Sequence, residues 1–261
     1  MPLLSRTNLF LTMIALLVGL GGCSDDSAAS GDARVEQYIR AQPFPRLVLE
    51  IESVAGSEPY GGTEARLIGR LAQILDKPGG IEAIRDETIA SRGAHHAWSF
   101  DELDALAAQR FNLEVDSDTI KMLVMFVDGH YAEDSASSKV LGIAWRQKYL
   151  VIFKQTIESS CRKGALIPSL QDKFCQEAEL TIWTHEIGHL LGLVDNGLPM
   201  QNGHRDHEHG RHCTRKECVM YWAYTGNDLF DVLQTRFLAG NEQSPGFGPD
   251  CLADLKAVRE K

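Results

Sequence analysis

His185, Glu186 and His189 stand in the stretch His185-Glu-Ile-Gly-His189. Two imidazoles four residues apart, with a carboxylate beside the first, are the residue types that hold a metal ion and move a proton next to it. On an α-helix, residues i and i+4 lie one above the other. His185 and His189 can therefore direct two ring nitrogens at one ion while Glu186 stands beside them. A third protein ligand would leave one position of a tetrahedral zinc open to water, and Glu186 is placed to take the proton of that water. Gly192 and Asp195 follow closely, and six of the nine histidines (185, 189, 204, 207, 209 and 212) fall within 28 residues.

The stretch needs a helix, and its residues fit one. At about 100° per residue, Leu180, Trp183, Ile187, Leu190 and Leu191 share one side, while His185 and His189 lie roughly 140° and 180° around from Leu180. The pattern predicts an amphipathic helix from about Gln176, with its apolar face in a core and its histidines on a cleft. Upstream, the run RLVLEIESV from Arg46 alternates as a strand with one buried face. A helix is expected over residues 63–75, stopped by Lys77-Pro-Gly-Gly80. Ser99-Phe-Asp-Glu102 is a capping box that opens a helix running to about Phe111. His95 and His96, just before it, read as surface residues. Residues 120–127, 140–145 and 149–153 read as strands, the last two as a hairpin, with Asp128-Gly129 as a turn. If 140–145 is the edge over the cleft, it can pair with an extended peptide.

The chain has 261 residues, 44% hydrophobic and 24% charged, enough for an adequate core in one or at most two domains. Arg6 and the apolar run over residues 9–20 read as an export signal, too short for a stable membrane span. That run ends in Leu20-Gly-Gly-Cys23, which resembles a bacterial lipobox. The resemblance implies cleavage after residue 22 and lipid on Cys23, hence an exported protein anchored to the cell envelope, at the outer membrane if the source is Gram-negative. Residues 23–33 are small and polar, a flexible tether, and 34–261 form the domain. Loss of residues 1–22 removes Arg6 alone, leaving 25 Lys+Arg against 36 Asp+Glu, a formal charge of −11. Nucleic acid is excluded as a partner on that balance. Cys161 and Cys175 flank a stretch with Gly164 and Pro168 and make a plausible pair, while Cys213, Cys218 and Cys251 leave either an odd thiol or a partly built metal site.

The stretch His185-Glu-Ile-Gly-His-Leu-Leu-Gly192-Leu-Val-Asp195 resembles the metzincin zinc-protease pattern. There the glycine turns the chain so that a third ligand, His or in some members Asp, reaches the metal, and a methionine lies beneath it in a tight turn. Asp195 fits as that ligand and Met220 as that methionine. His212-Cys-Thr-Arg-Lys-Glu-Cys218-Val-Met220 also resembles the archaemetzincin branch, H-C-x4-C-x-M. This second resemblance implies His212 as the third ligand, preferred over Asp195 because the match is longer. Residues 196–211 then become an insertion, and His204, His207 and His209 read as a solvated loop. The branch's later C-x-x-C is missing, since Cys251 alone follows, so its four-cysteine second zinc site lacks a member.

The resemblance implies an α+β fold, a metzincin-like zincin domain with a mixed twisted sheet, an active-site helix and a mainly helical C-terminal part. It also implies Zn2+ as cofactor, a peptide or protein as substrate and Glu186 as general base. Tyr221 and Tyr224, just past Met220, read as packing residues. A gluzincin arrangement would need a Glu ligand on a later helix, and Glu208, Glu217 and Glu242 have no such context. The alternative outside enzymes is a zinc-binding envelope lipoprotein that keeps the fold without turning over peptide.

Overall fold

The computed structural model describes residues 35–136, 138–164 and 168–261. The expected signal segment, Cys23 and the tether lie outside the described residues. The described chain runs α1 (Val35–Ile39), β1 (Arg46–Val54), α2 (Thr63–Ile74), β2 (Gly80–Ile89), β3 (Ala97–Trp98), α3 (Phe100–Arg110), β4 (Thr119–Val127) and β5 (His130–Tyr131). It continues with β6 (Gly142–Trp145), β7 (Tyr149–Phe153), α4 (Lys154–Gly164), α5 (Gln171–Leu190), β8 (Arg205–Asp206), β9 (His212–Cys213), α6 (Asp228–Leu238) and α7 (Pro249–Arg259). The fold is α+β. One mixed sheet has the order β2-β1-β4-β7-β6, with β6 the only antiparallel member and an edge. The predicted hairpin is this last pair, with Gly142 opposite Ile152 and Trp145 opposite Tyr149. Among the described residues, no helix is long and apolar enough to cross a membrane.

Alternation in β1, β4 and β7 sends side chains to two cores. Leu47, Leu49, Ile51, Met122, Val124, Phe126 and Ile152 face the larger one, beneath α2, α4, α5, α6 and α7. Val54, Leu123, Met125, Val127 and Val151 face a smaller core closed by Leu103 and Ala107 of α3. The single buried face expected for β1 is therefore corrected to two, because parallel sheets are covered on both sides. Glu50 and Glu52, which alternate with Leu49 and Ile51 along β1, are buried on that second face. Glu50 accepts the N–H groups of Asn112 (3.1 Å) and Leu113 (2.6 Å) and pairs with Lys121 at 2.8 Å. Glu52 lies 3.5 Å from Arg110, and burial pushes its carboxyl up to about 7.

The capping box on α3 forms as read: Ser99 accepts the Glu102 N–H and Glu102 accepts the Ser99 N–H. Several elements were not expected from the sequence. Among them, β2 is an exposed, charge-rich edge strand, and α4 carries Cys161. A disulfide joins Cys161 on α4 to Cys175 on α5, with Cα atoms 5.2 Å apart.

The helix of the paired histidines, α5, differs most from expectation. It begins at Gln171, five residues early, and it is buried on every side rather than on one. Its polar positions are neutralised from elsewhere in the chain. Glu177 takes Arg66 at 2.8 Å and the Ser244 N–H at 2.8 Å, and Glu179 takes Lys154 at 2.5 Å and the Tyr60 N–H at 2.8 Å. α5 is thus a central pillar, and only its last turn reaches a cleft.

Candidate functional site

α5 must stop so that His189 can face open space, and Gly192 stops it. Its φ of 76° is left-handed, and a Cβ there would meet Leu198 N and Val35 Cγ1 at 3.0 Å each. The Gly192 carbonyl accepts the N–H groups of Asn196 (3.1 Å) and Leu198 (2.9 Å), so the chain turns sharply away from the helix axis.

The imidazoles are held by backbone. The His185 Nδ1–H donates to the Val219 carbonyl at 2.6 Å, so Nε2 carries the lone pair, and this atom lies 3.0 Å from His189 Nε2. The third imidazole comes from β9. β8 and β9 pair antiparallel, Asp206 opposite His212, and the hairpin carries His212 back over the end of α5. His212 Nδ1 is anchored on the His209 carbonyl, while Nε2 is buried with no protein partner. Ring centroids of His185, His189 and His212 are 4.8, 5.2 and 5.2 Å apart, and one nitrogen of each lies within 4.8 Å of the others. Burial first, then mutual repulsion, holds His185 well below the ordinary imidazole range. The same causes bring His189 down to about 3, and burial, with repulsion from His209, lowers His212 against the pull of the His209 carbonyl. All three are neutral at pH 7, the ligating form.

Asp195 is not in this group. Val194 and Asp195 both adopt left-handed φ values of 57° and 59°, and the carboxylate, half exposed, points to Arg205 at 2.9 Å and Arg211 at 2.6 Å. Two guanidiniums occupy it, and the two-residue left-handed turn carries it away from the imidazoles.

Glu186 is buried and packs under the edge strand β6. Burial pushes its carboxyl up to about 8, against the pull of the Ala144 N–H. A divalent cation among the imidazoles would oppose that rise. Gly142 permits the close approach, since a Cβ there would sit 2.8 Å from Glu186 Cγ and 3.1 Å from Ile182 Cγ2. A cleft of about 440 Å³ opens between β6 and His212, lined by Val140, Gly142, Ala144, Glu186, His189 and Arg211 among others.

Met220 lies fully buried against Gly188 of α5, one residue from the carbonyl that orients His185. Tyr224 is buried and donates to the Lys216 carbonyl at 2.9 Å, and Tyr221 packs beside the core, so both are packing residues as read. His96 packs edge-on against Trp98, and His95 is exposed. His207 is exposed, and His209 stacks on Trp222 at 4.3 Å. His204 departs from the solvated-loop reading: it is 2% exposed because Asp254 of α7 draws it into the interior. A signal was present in Cys251 and Asp254, one helical turn apart on α7, but it points to His204 only once the two segments meet.

No protein-family model and no curated protein matches the chain. Similar solved structures include archaemetzincin from Methanopyrus kandleri, 15% identical, covering 83% of this chain and 96% of that one, with a TM-score of 0.48. A zinc-dependent peptidase from Methanocorpusculum labreanum is 16% identical, covering 80% and 99%, with a TM-score of 0.48. Metalloproteinase-II from Bacteroides fragilis is 12% identical, covering 85% and 55%, with a TM-score of 0.44.

Proposed function

We propose that the chain is a zinc-dependent metallopeptidase in which His185, His189 and His212 hold the metal and Glu186 is the general base. One observation supports this above the rest: the buried Nε2 of His212 has no protein partner and converges with two more imidazole nitrogens beside a buried carboxylate. Three neutral imidazoles in a triangle suit zinc and leave a fourth position open. When bound, zinc lowers the pKa of a water toward neutrality and polarises the scissile carbonyl.

This chain's residues supply the rest. Glu186, beside His185 and under β6, receives the proton of the attacking water and delivers it to the leaving amine. The Val219 carbonyl keeps the His185 proton on Nδ1, so Nε2 stays available as a ligand. β6 pairs with β7 on one side only, and Gly142 and Ala144 of β6, with Val140 just before it, border the cleft on the other. An extended peptide adds to that edge through backbone hydrogen bonds, which places its carbonyl over the site without demanding a particular side chain.

The same proposal places the enzyme in the cell envelope, tethered by lipid on Cys23 and acting on peptides or proteins at the membrane surface. Digestion of casein and of a peptide library tests the activity. Cleavage stops with chelator and returns with zinc; a zinc-loaded protein that cleaves nothing supports the zinc-binding lipoprotein instead.

A further inference from the structure

Cys213, Cys218 and Cys251 form no disulfide, and each is fully buried. Nothing in the peptidase site uses them. They nonetheless converge: the Cys218 and Cys251 sulfurs are 3.5 Å apart, and those of Cys213 and Cys251 fall with a ring nitrogen of His204 in a group whose members all lie within 4.8 Å. His204 Nδ1 is 3.4 Å from Cys213 Sγ.

The four-cysteine pattern would place its last thiol three residues after Cys251, where this chain has Asp254. Asp254 is fully buried, and both its oxygens are committed to the inserted segment. One accepts the Nε2–H of His204 at 2.8 Å, the other the Gln201 N–H at 2.6 Å. A carboxylate on Nε2 fixes the tautomer and turns the Nδ1 lone pair toward the sulfurs. The residue in the missing cysteine's place therefore holds an imidazole delivered by residues 196–211.

We propose that His204, Cys213, Cys218 and Cys251 form a second, structural zinc site, with His204 as its fourth ligand and Asp254 as the carboxylate that orients it.

Two of the ligand-to-ligand distances agree with the chemistry. Zn–S bonds of about 2.3 Å and Zn–N bonds of about 2.0 Å at tetrahedral angles require edges of about 3.8 Å between sulfurs and about 3.5 Å between sulfur and nitrogen. The observed 3.5 and 3.4 Å lie within a few tenths of these. A disulfide needs about 2.0 Å. Two sulfurs also receive backbone N–H groups, Cys218 from Gly248 at 3.1 Å and Cys213 from Arg215 at 3.5 Å, as thiolate ligands do. Gly248 is required for that approach, because a Cβ there would sit 2.9 Å from Cys218 Cβ. Buried thiols alone are ordinary small hydrophobes. That reading leaves a buried His–Asp pair beside the sulfurs of Cys213 and Cys251 without a reason.

Four protein ligands close the site, so its role is to staple. Cys213 adjoins His212 in β9, and Cys218 lies two residues before Met220. One ion thereby fixes the hairpin that carries the third imidazole and the turn that carries the methionine. This inference stands whether or not the chain cleaves peptides.

The test uses the full chain with His185→Ala and His189→Ala, which isolates the second site, loaded with Co2+. One equivalent of cobalt binds, with sulfur-to-cobalt charge-transfer absorption and the bands of a tetrahedral ion. Adding His204→Ala weakens cobalt binding at least ~10-fold, whereas His204→Cys restores binding with stronger charge transfer. The unsubstituted chain carries two zinc ions. A loss of folding in His204→Ala is recognised by circular dichroism and separated from ligand loss by the His204→Cys rescue. The proposal is overturned if no sulfur-to-cobalt absorption develops, if His204→Ala leaves spectrum and affinity unchanged, or if the three thiols of the native zinc-loaded chain alkylate as fast as when unfolded.

Discussion

Gly188 lies inside α5, where alanine is ordinarily the better residue by about 1 kcal/mol. Here the surroundings reverse the sign. A Cβ at Gly188 would fall well inside van der Waals contact of Met220 Sδ, 3.2 Å from Met220 Cε and 2.9 Å from Phe247 Cε1. Met220 is fully buried, so its thioether has nowhere open to go. Forcing a methyl into such a core costs about 1 to 3 kcal/mol, which exceeds the propensity gain. Gly188→Ala is therefore expected to destabilise by about 1 kcal/mol. Gly69→Ala in α2 is the internal reference, because a Cβ there meets nothing within 4 Å and only the propensity gain of about 0.5 to 1 kcal/mol remains. The two variants should differ by about 2 kcal/mol, or ~4–8 °C in Tm for a chain of this size, by calorimetry of the zinc-loaded protein. Gly188→Ala should also release zinc faster, since Met220 is bonded to Val219, whose carbonyl orients His185. Trimming Met220 to Ala in the Gly188→Ala background should recover part of the loss. Equal stabilisation by Gly188→Ala and Gly69→Ala would refute the packing of Met220 beneath the helix.

Three further outcomes follow from other parts of the molecule. By zinc quantitation, His212→Ala should lose the peptidase-site ion while Asp195→Ala keeps it; the reverse result restores Asp195 as the third ligand. Glu52 has its carboxyl raised from 4.5 to about 7, chiefly by burial, with Arg110 opposing and Glu50 adding to the rise. The folded state therefore favours the protonated acid, and this contribution, up to ~3 kcal/mol, is present below pH 4.5 and lost as pH rises through 7. Glu52→Gln should gain on the wild type over that window, and parallel pH–stability curves would contradict the assignment. Cys23→Ala should move the protein from the membrane fraction to the soluble fraction, and an unchanged distribution would remove the lipid anchor from the account.

The parts of this fold legible in the sequence are those whose cause is local. The i, i+4 histidines, the Ser99 capping box and the apolar run of β4 are each complete within a dozen residues. The return of His212 toward His189, across the 22 residues between them, was legible through the family resemblance that Cys218 and Met220 carry after it. What escaped is set by partners far along the chain. The polar residues of α5 look like a solvated face until Arg66, Lys154 and Ser244 arrive to cover them. β2 carries too many charges to read as a strand, and it is one because the exposed edge of β1 supplies its hydrogen bonds. Burial of His204 depends on Asp254, fifty residues later.

The account turns on a single proton carrier beside a metal held by three imidazoles. Zinc per chain and peptide hydrolysis, measured on the same preparations of wild type and Glu186→Gln, address it together. Equal zinc content with chelator-sensitive hydrolysis reduced at least ~100-fold in the variant is the predicted result. Hydrolysis at the wild-type rate by zinc-loaded Glu186→Gln would contradict it.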